Sequence, residues 1–463
     1  MTIARELATF VSRVSYEDMS DLARAQLKIR TLDSAGCALG ALGEPPMRLL
    51  RAHIEDFSAN GQCTLVGGGR TSPDRAALYN GALVRYLDFS DSYMAKSDYA
   101  HPSDNLGAVM AGAEYAESSG RNFMAALAVA YQVQLRLADE APVLAKGYDH
   151  TVQGSYAVAC GVSKALGLSV DQTMNAIGMC GTAFNALRVT RTGTLSNWKG
   201  LAYANTAFGC THATFMAMRG LTGPSEVFEG NKGFMHTISG PFQLDWAKEN
   251  LERVCQTSIK KYNSTIDSQS TVEAMLALRQ RENLNAADIE KIDVDVFDIA
   301  YKVIGGGEEG DKYTVKTKEQ ADHSLQYVTA VACLDGRVMP EQYLPARIMA
   351  DDVQTLLRKV TVRSDPEITR RFPGECGSRI TVTLRGGRTV SIEVKNYEGY
   401  YSRPMSWEAV YKKFEGLSAH CTPPALQREI ADCIANLENA PASDLARVLG
   451  KINAEGSDAK RTV

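Results

Sequence analysis

The 463-residue chain lacks most of the features that would assign it quickly. No two of its ten cysteines form a CxxC pair, and several sit singly in Ala/Gly-rich text such as Ala159-Cys160-Gly161 and Met179-Cys180-Gly181. That pattern excludes a disulfide or zinc framework and reads as scattered free thiols of a reducing cytoplasm. No apolar run approaches the roughly 18 residues that cross a bilayer. The opening stretch Met1 to Ser20 spaces Ile3, Leu7, Phe10, Val11 and Val14 at helical intervals, without the apolar block of a secretory signal. There is no excess of basic charge: the formal net charge is -4, so nothing favours nucleic acid, whose binders need a basic face. GxGxxG after a strand, GxxxxGK[ST], HExxH and GxSxG are all missing, and the seven histidines form no metal pair. Val66-Gly67-Gly68-Gly69 lacks phosphate-loop spacing, Gly305-Gly306-Gly307 sits in loop-like text, and both read as turns. No cofactor and no metal are indicated, so the chemistry must come from single acid–base residues gathered from distant segments.

What is present is ordinary globular composition, with 44% hydrophobic and 22% charged residues, in a chain long enough for two or three domains. Phe123 to Glu140, Tyr156 to Leu168, Gln172 to Leu187 and Ala202 to Leu221 have helical length, are rich in Ala, Met, Leu and Gly, and lack alternation. After about Asn263 the character changes. Lys291 to Asp298 alternates Ile292, Val294 and Val296 with charged residues, and Lys359 to Ser364 is a second short strand. Arg379 to Lys395 carries two period-2 runs joined by Gly386-Gly387, which predicts a β-hairpin. From Trp407 the text is helical again, through Gln427 to Leu437 and Ser443 to Ile452. The expected fold is therefore mainly α: a large helical domain built from both chain ends, 1–262 and 405–463, with a smaller inserted α+β lid domain at 263–404.

The densest polar text is Tyr86-Leu87-Asp88-Phe89-Ser90-Asp91-Ser92-Tyr93, followed by Ala100-His101-Pro102-Ser103-Asp104-Asn105-Leu106-Gly107. Ser103 or Asp104 is expected to cap the helix that follows, and Pro102 holds His101 extended before it. From spacing alone, a surface histidine and a catalytic one are equally open at position 101.

These two segments resemble the LDFxDT…HPSDNLG signature of the 2-methylcitrate dehydratase (MmgE/PrpD) family. Asn197-Trp198-Lys199-Gly200, Thr257-Ser258-Ile259-Lys260 and Ala321-Asp322-His323-Ser324-Leu325-Gln326-Tyr327 resemble further family segments in the same order, with Gln326 where proline is usual. The resemblance implies a metal-free lyase of propionate catabolism acting on a small polycarboxylic acid, a homodimer, and an active site between the domains. It also implies catalytic roles for Asp88, Ser92, His101, His150, Lys199, Lys260 and Tyr327; Arg191, His323 and, where the chain departs from the family pattern, Asp267 are the substrate-binding candidates. Ser92 stands where threonine is common.

Chemistry gives these residue types a task. Eliminating water from a citrate-like acid requires removal of a proton alpha to a carboxylate, and the developing charge needs cations nearby. Lys199 and Lys260 are the candidates for holding carboxylates, with Arg191 behind them. His101 and His150 suit either the base or the acid that protonates the leaving hydroxyl. Asp88 orients a histidine or is itself the base. Tyr327 is either a substrate contact or a buried aromatic whose hydroxyl finds a partner. The family pattern continues after the second lysine with proline and histidine, whereas this chain reads Thr265-Ile266-Asp267, and Gly399-Tyr400-Tyr401 stands where Gly-His is common. An aspartate at 267 repels a substrate carboxylate and favours an amine. Decarboxylation of cis-aconitate and epimerisation of an amino-dicarboxylic acid share the same proton-abstraction logic, and a non-catalytic metabolite-binding relative is the alternative from another class.

Overall fold

A computed structural model describes residues 1–57 and 61–452; the last residues of the expected 405–463 segment, 453–463, lie outside the described residues. The chain divides into two compact units. The first takes Met1–Thr190, Gly200–Thr257 and the chain from Ser406, and the second takes Arg191–Lys199 and Ser258–Met405.

The first unit is helical. Its opening helix Ile3–Arg13 starts at Thr2, whose hydroxyl accepts from the Arg5 N–H, and it buries Leu7, Phe10 and Val11 as the spacing predicts. The expected helices appear as Gly120–Glu140, Thr151–Leu166, Val170–Ala183 and Trp198–Met218. Small residues let them approach closely. A Cβ on Gly107 would lie 2.5 Å from the Gly81 backbone nitrogen, so the helices Pro73–Tyr86 and Leu106–Tyr115 meet at a distance that only glycine permits. This crossing fixes the two segments that carry the polar text read above. From the other end of the chain, Trp407–Ser418 packs on Asp21–Ala41 and buries Val410, Phe414 and Leu417. Val66 to Gly69 is a turn, with the three glycines at φ of 86°, 97° and 82°, between the short strands Cys63–Thr64 and Arg70–Thr71.

The second unit holds the four-stranded sheet. We number its strands β1 (Ile289–Val296), β2 (Val360–Ser364), β3 (Ser378–Leu384) and β4 (Thr389–Val394). Their spatial order is β2-β1-β3-β4, with β1 parallel to β2 and the other pairs antiparallel. Ile292, Val294 and Val296 of β1 and Ile380 and Val382 of β3 are buried, while charged neighbours point the other way. The helices Gln269–Glu282 and Leu325–Asp335 cover the apolar face. The fold class is as expected, mainly α with a small sheet region. Arg191–Lys199 and residues 258–262, inside the stretch read as helical domain, group with the α+β unit. Among the described residues, no helix is long and apolar enough to cross a membrane.

Candidate active site

In the helical unit the site grows from the end of the Pro73–Tyr86 helix. Asp88 takes a left-handed backbone conformation at φ 55°, which aspartate tolerates better than most residues. Its carboxylate accepts from Arg85 Nη1 at 2.6 Å, one helical turn back, and Arg85 Nε lies 3.6 Å from Asp104 Oδ2. All three side chains are buried. Next, Phe89 offers its carbonyl to Lys413 Nζ at 2.7 Å, and that ammonium pairs with Asp33 at 2.6 Å. Asp91 then accepts from the Ser103 N–H at 3.1 Å and from the Tyr131 hydroxyl at 2.9 Å. Burial pushes the Asp91 carboxyl up to about 6, against the pull of Ser103, Arg30 and Tyr131.

Between Ser92 and His101 the chain doubles back through Tyr93–Met94 paired with Tyr99–Ala100. The result places Ser92 Oγ 2.8 Å from His101 Nδ1, which also lies 3.1 Å from the Asp91 carbonyl. His150 begins the Thr151–Leu166 helix, and its ring meets that of His101 edge to face with centroids 5.1 Å apart. Asp149 Oδ1 lies 3.0 Å from His150 Nδ1, and Asp104 Oδ2 lies 3.9 Å from Nε2. Tyr203 stacks on the far side at 5.9 Å, its hydroxyl donating to Asn105 at 2.9 Å. Asp88, Ser92, His101 and His150 are thus brought together. The expected cap is not: the Pro102–Asn105 turn and the Leu106–Tyr115 helix start without a side-chain cap. Asp104 faces Arg85 and His150 instead, at 3.6 and 3.9 Å.

The second unit assembles its own cluster. Lys199 Nζ reaches Asp322 Oδ1 at 2.8 Å and His323 Nδ1 at 2.9 Å, and His323 Nδ1 lies 2.6 Å from the same Asp322 oxygen. Lys318 Nζ sits 2.9 Å from the other oxygen. Burial alone would raise Asp322, but Lys199, Lys318 and His323 hold its carboxyl far below the usual carboxylate range. Arg191 donates from Nη1 to the Lys199 carbonyl at 3.2 Å, so it supports the lysine's backbone. The Lys260 side chain is buried, on a segment whose Ile259 N–H bonds the Gly399 carbonyl at 2.8 Å. Asp267 is buried in the short turn Ile266–Ser268 that opens the Gln269–Glu282 helix. Tyr327 donates its hydroxyl to the Gln342 carbonyl, and burial drives its pKa up, the behaviour of a buried aromatic with a partner. Tyr400 likewise donates to the Pro373 carbonyl, which gives the departure at that position a structural role.

Arg85, Asp149, Lys318 and Asp322 were not singled out by the sequence reading. One signal was available: His150 and His323 are each preceded by an aspartate, and in both cases that aspartate's Oδ1 meets the Nδ1 of the next residue. A carboxylate of this kind fixes an imidazole's tautomer and orientation.

The fold and the two clusters define a two-unit protein with a helical body and an α+β insertion that carries acid–base groups in each. The chain belongs to the MmgE/PrpD family: the family's N-terminal domain matches residues 5–247 and its C-terminal domain residues 262–439. It is 27% identical to a 2-methylcitrate dehydratase of Salmonella typhimurium, over 95% of this chain and 96% of that protein. It is also 24% identical to a cis-aconitate decarboxylase of mouse, over 89% of this chain and 86% of that protein. An alkylcitrate dehydratase from a fungal strain is 28% identical over 84% of this chain and 82% of its own length.

Proposed function

We propose that the protein is a metal-independent hydro-lyase that dehydrates 2-methylcitrate or a close analogue by abstracting a proton alpha to a carboxylate. The observation that carries this reading is the pair of imidazoles 5.1 Å apart, each with one nitrogen fixed by a neighbouring oxygen. Two oriented histidines supply what a β-elimination needs, a base for the carbon acid and an acid for the leaving hydroxyl. Lys199 and Lys260, with Arg191 and His323 behind them, hold the substrate carboxylates and offset the developing charge, the task a metal would otherwise perform. Asp88 orients the loop that carries Ser92. The relatives named as dehydratases of citrate-type acids support the substrate class. A cytoplasmic homodimer serving propionate catabolism completes the proposal.

The test is proton NMR of the purified protein with 2-methylcitrate, citrate, cis-aconitate and iminodisuccinate, in heavy water with EDTA. An alkene appearing from either citrate is the expected result, and His101→Gln should slow it about 10²- to 10⁴-fold. The similarity to a mouse cis-aconitate decarboxylase favours a second reading, loss of carbon dioxide from cis-aconitate, which the same spectra detect. Turnover of none of the four acids, with no deuterium entering the alpha carbon, refutes both. If Asp267 selects an amine-bearing acid, Asp267→Asn must change the order of preference among the four.

A further inference from the structure

One buried carboxylate joins the segment that carries His101 to the segment that carries His150. Asp98 closes the reversal between Tyr93–Met94 and Tyr99–Ala100, where the Ala95 N–H bonds its carbonyl at 3.0 Å. His101 follows three residues later. The buried side chain of Asp98 divides its oxygens between near and far partners. Oδ1 accepts from the Tyr99 N–H at 2.8 Å, inside the reversal. Oδ2 accepts from the Val143 N–H at 2.7 Å and from Gln153 Nε2 at 2.9 Å. Those two donors stand on either side of His150. Val143 precedes it, and the Val143 carbonyl takes the N–H of Tyr148 at 3.3 Å, two residues before the histidine. Gln153 comes three residues after it, in the helix Thr151–Leu166 that His150 begins. A single oxygen therefore grips both ends of the stretch that presents His150.

The surroundings of Gln153 make this contact specific. Its Nε2 also lies 3.3 Å from the Ala141 carbonyl, so both groups around it only accept and the amide nitrogen must face them. Gln153 Oε1 is then buried with no hydrogen-bond partner among the described residues. An orphaned amide oxygen is unfavourable, so donation to Asp98 and Ala141 is what the glutamine contributes. The apolar side chains of the reversal hold it elsewhere. Tyr93, Ala95 and Ala100 cluster with Leu135 and Ala138 of the Gly120–Glu140 helix, which carries neither histidine.

We propose that Asp98 is a positioning residue that sets the His101–His150 pair, whose rings meet edge to face at 5.1 Å. The inference rests on the two-histidine dehydratase reading for its catalytic consequence and on the bonds of Asp98 for its structural one. In a β-elimination the base and the acid must reach the alpha C–H and the leaving hydroxyl of one bound molecule. A shift of about 1 Å between the rings therefore costs on the order of 10²-fold in rate.

The test measures imidazole NMR signals in uniformly ¹⁵N-labelled protein, together with turnover of 2-methylcitrate, for Asp98→Ala, Asp98→Asn and Gln153→Met. The two signals are assigned by their loss in His101→Gln and His150→Gln. Asp98→Ala removes both far bonds and should shift the His101 and His150 signals while those of His53 and His212 stay in place. Its kcat and kcat/KM should fall together by about 10²-fold with the far-UV circular dichroism retained. Asparagine can accept from Val143 and Gln153 with its one oxygen, so Asp98→Asn should keep kcat within about tenfold of the wild type. Gln153→Met fills the same space, removes one far bond and should shift the same two signals by less; it carries the test if Asp98→Ala does not fold. A residue serving stability alone would lower the urea midpoint and leave the kcat of the folded protein and both signals unmoved. That result, or Asp98→Asn as slow as Asp98→Ala, overturns the proposal. If the signals move as stated but the wild type turns over no citrate-type acid, the dehydratase reading fails and the positioning role stands.

Discussion

Asp91 is a fully buried carboxyl of the loop, and its pH dependence can be read directly. Its pKa rises from an ordinary 3.8 to about 6 because burial disfavours the anion more than Ser103, Arg30 and Tyr131 favour it. Between those two values the folded chain holds a proton that the unfolded chain has released. The stability it contributes is therefore complete below about pH 4 and is lost as the pH rises through about 6. Asp91→Asn cannot titrate, so between pH 4 and pH 7.5 it should gain on the wild type by about 3 kcal/mol. Urea unfolding of both proteins at the two pH values measures the gap, and a gap independent of pH would mean that Asp91 titrates normally. At this scale the sequence exposed the two histidines and two lysines through their motifs, because those residues sit in recognisable text. Arg85 and Asp322 escaped because their importance comes from what surrounds them. Asp322 collects Lys318 from four residues away but Lys199 from 123 residues away, and no local pattern announces that meeting.

The same divide appears among the elements. The hairpin at β3 and β4 was legible because two runs of alternating residues flank Gly386-Gly387, and both glycines adopt positive φ, 90° and 84°. The reversal is a three-residue loop, Arg385 to Gly387, closed by the Gly387 N–H on the Leu384 carbonyl at 3.0 Å with Thr383 facing Thr389, and an L side chain at either glycine costs about 1 kcal/mol. Replacing both glycines with alanine should then lower stability by about 2 kcal/mol in thermal or urea unfolding. No loss at all would show that the turn relaxes into another type. The long helices were legible by length and composition. The strands Tyr93–Met94 and Tyr99–Ala100 were not, since two residues are too few to show a period. Yet this short reversal is what carries Ser92 back to His101, so the element that matters most for the site is among the least visible in the sequence.

For the whole molecule, the change from helical to alternating text near Asn263 and back near Trp407 revealed that both chain ends build the helical unit. The return of Arg191–Lys199 to the α+β unit has no such marker, because a short segment leaves no compositional trace. The helix at Trp407–Ser418 makes the dependence of the helical unit on the residues after 405 testable. Trp407–Ser418 buries Val410, Phe414 and Leu417 and sends Lys413 to Asp33 at 2.6 Å and to the Phe89 carbonyl at 2.7 Å. It also lies close enough that a Cβ on Gly36 would stand 3.1 Å from the Phe414 Cα. Removing the cation of a buried pair costs about 3–5 kcal/mol, and each large apolar side chain uncovered adds about 1.5–3 kcal/mol. Together these approach the whole stability of an ordinary domain, about 5–15 kcal/mol. A chain ended at Met405 should accordingly lose the cooperative unfolding transition of the helical unit, seen by far-UV circular dichroism in urea. Lys413→Met, which keeps the helix and removes only the charge, should lower the midpoint while preserving a single steep transition for that unit. If the shortened chain unfolds as steeply as the full one, then Asp21–Ala41 and the Phe89 loop are held without their C-terminal partner, and the helical unit is complete before residue 406.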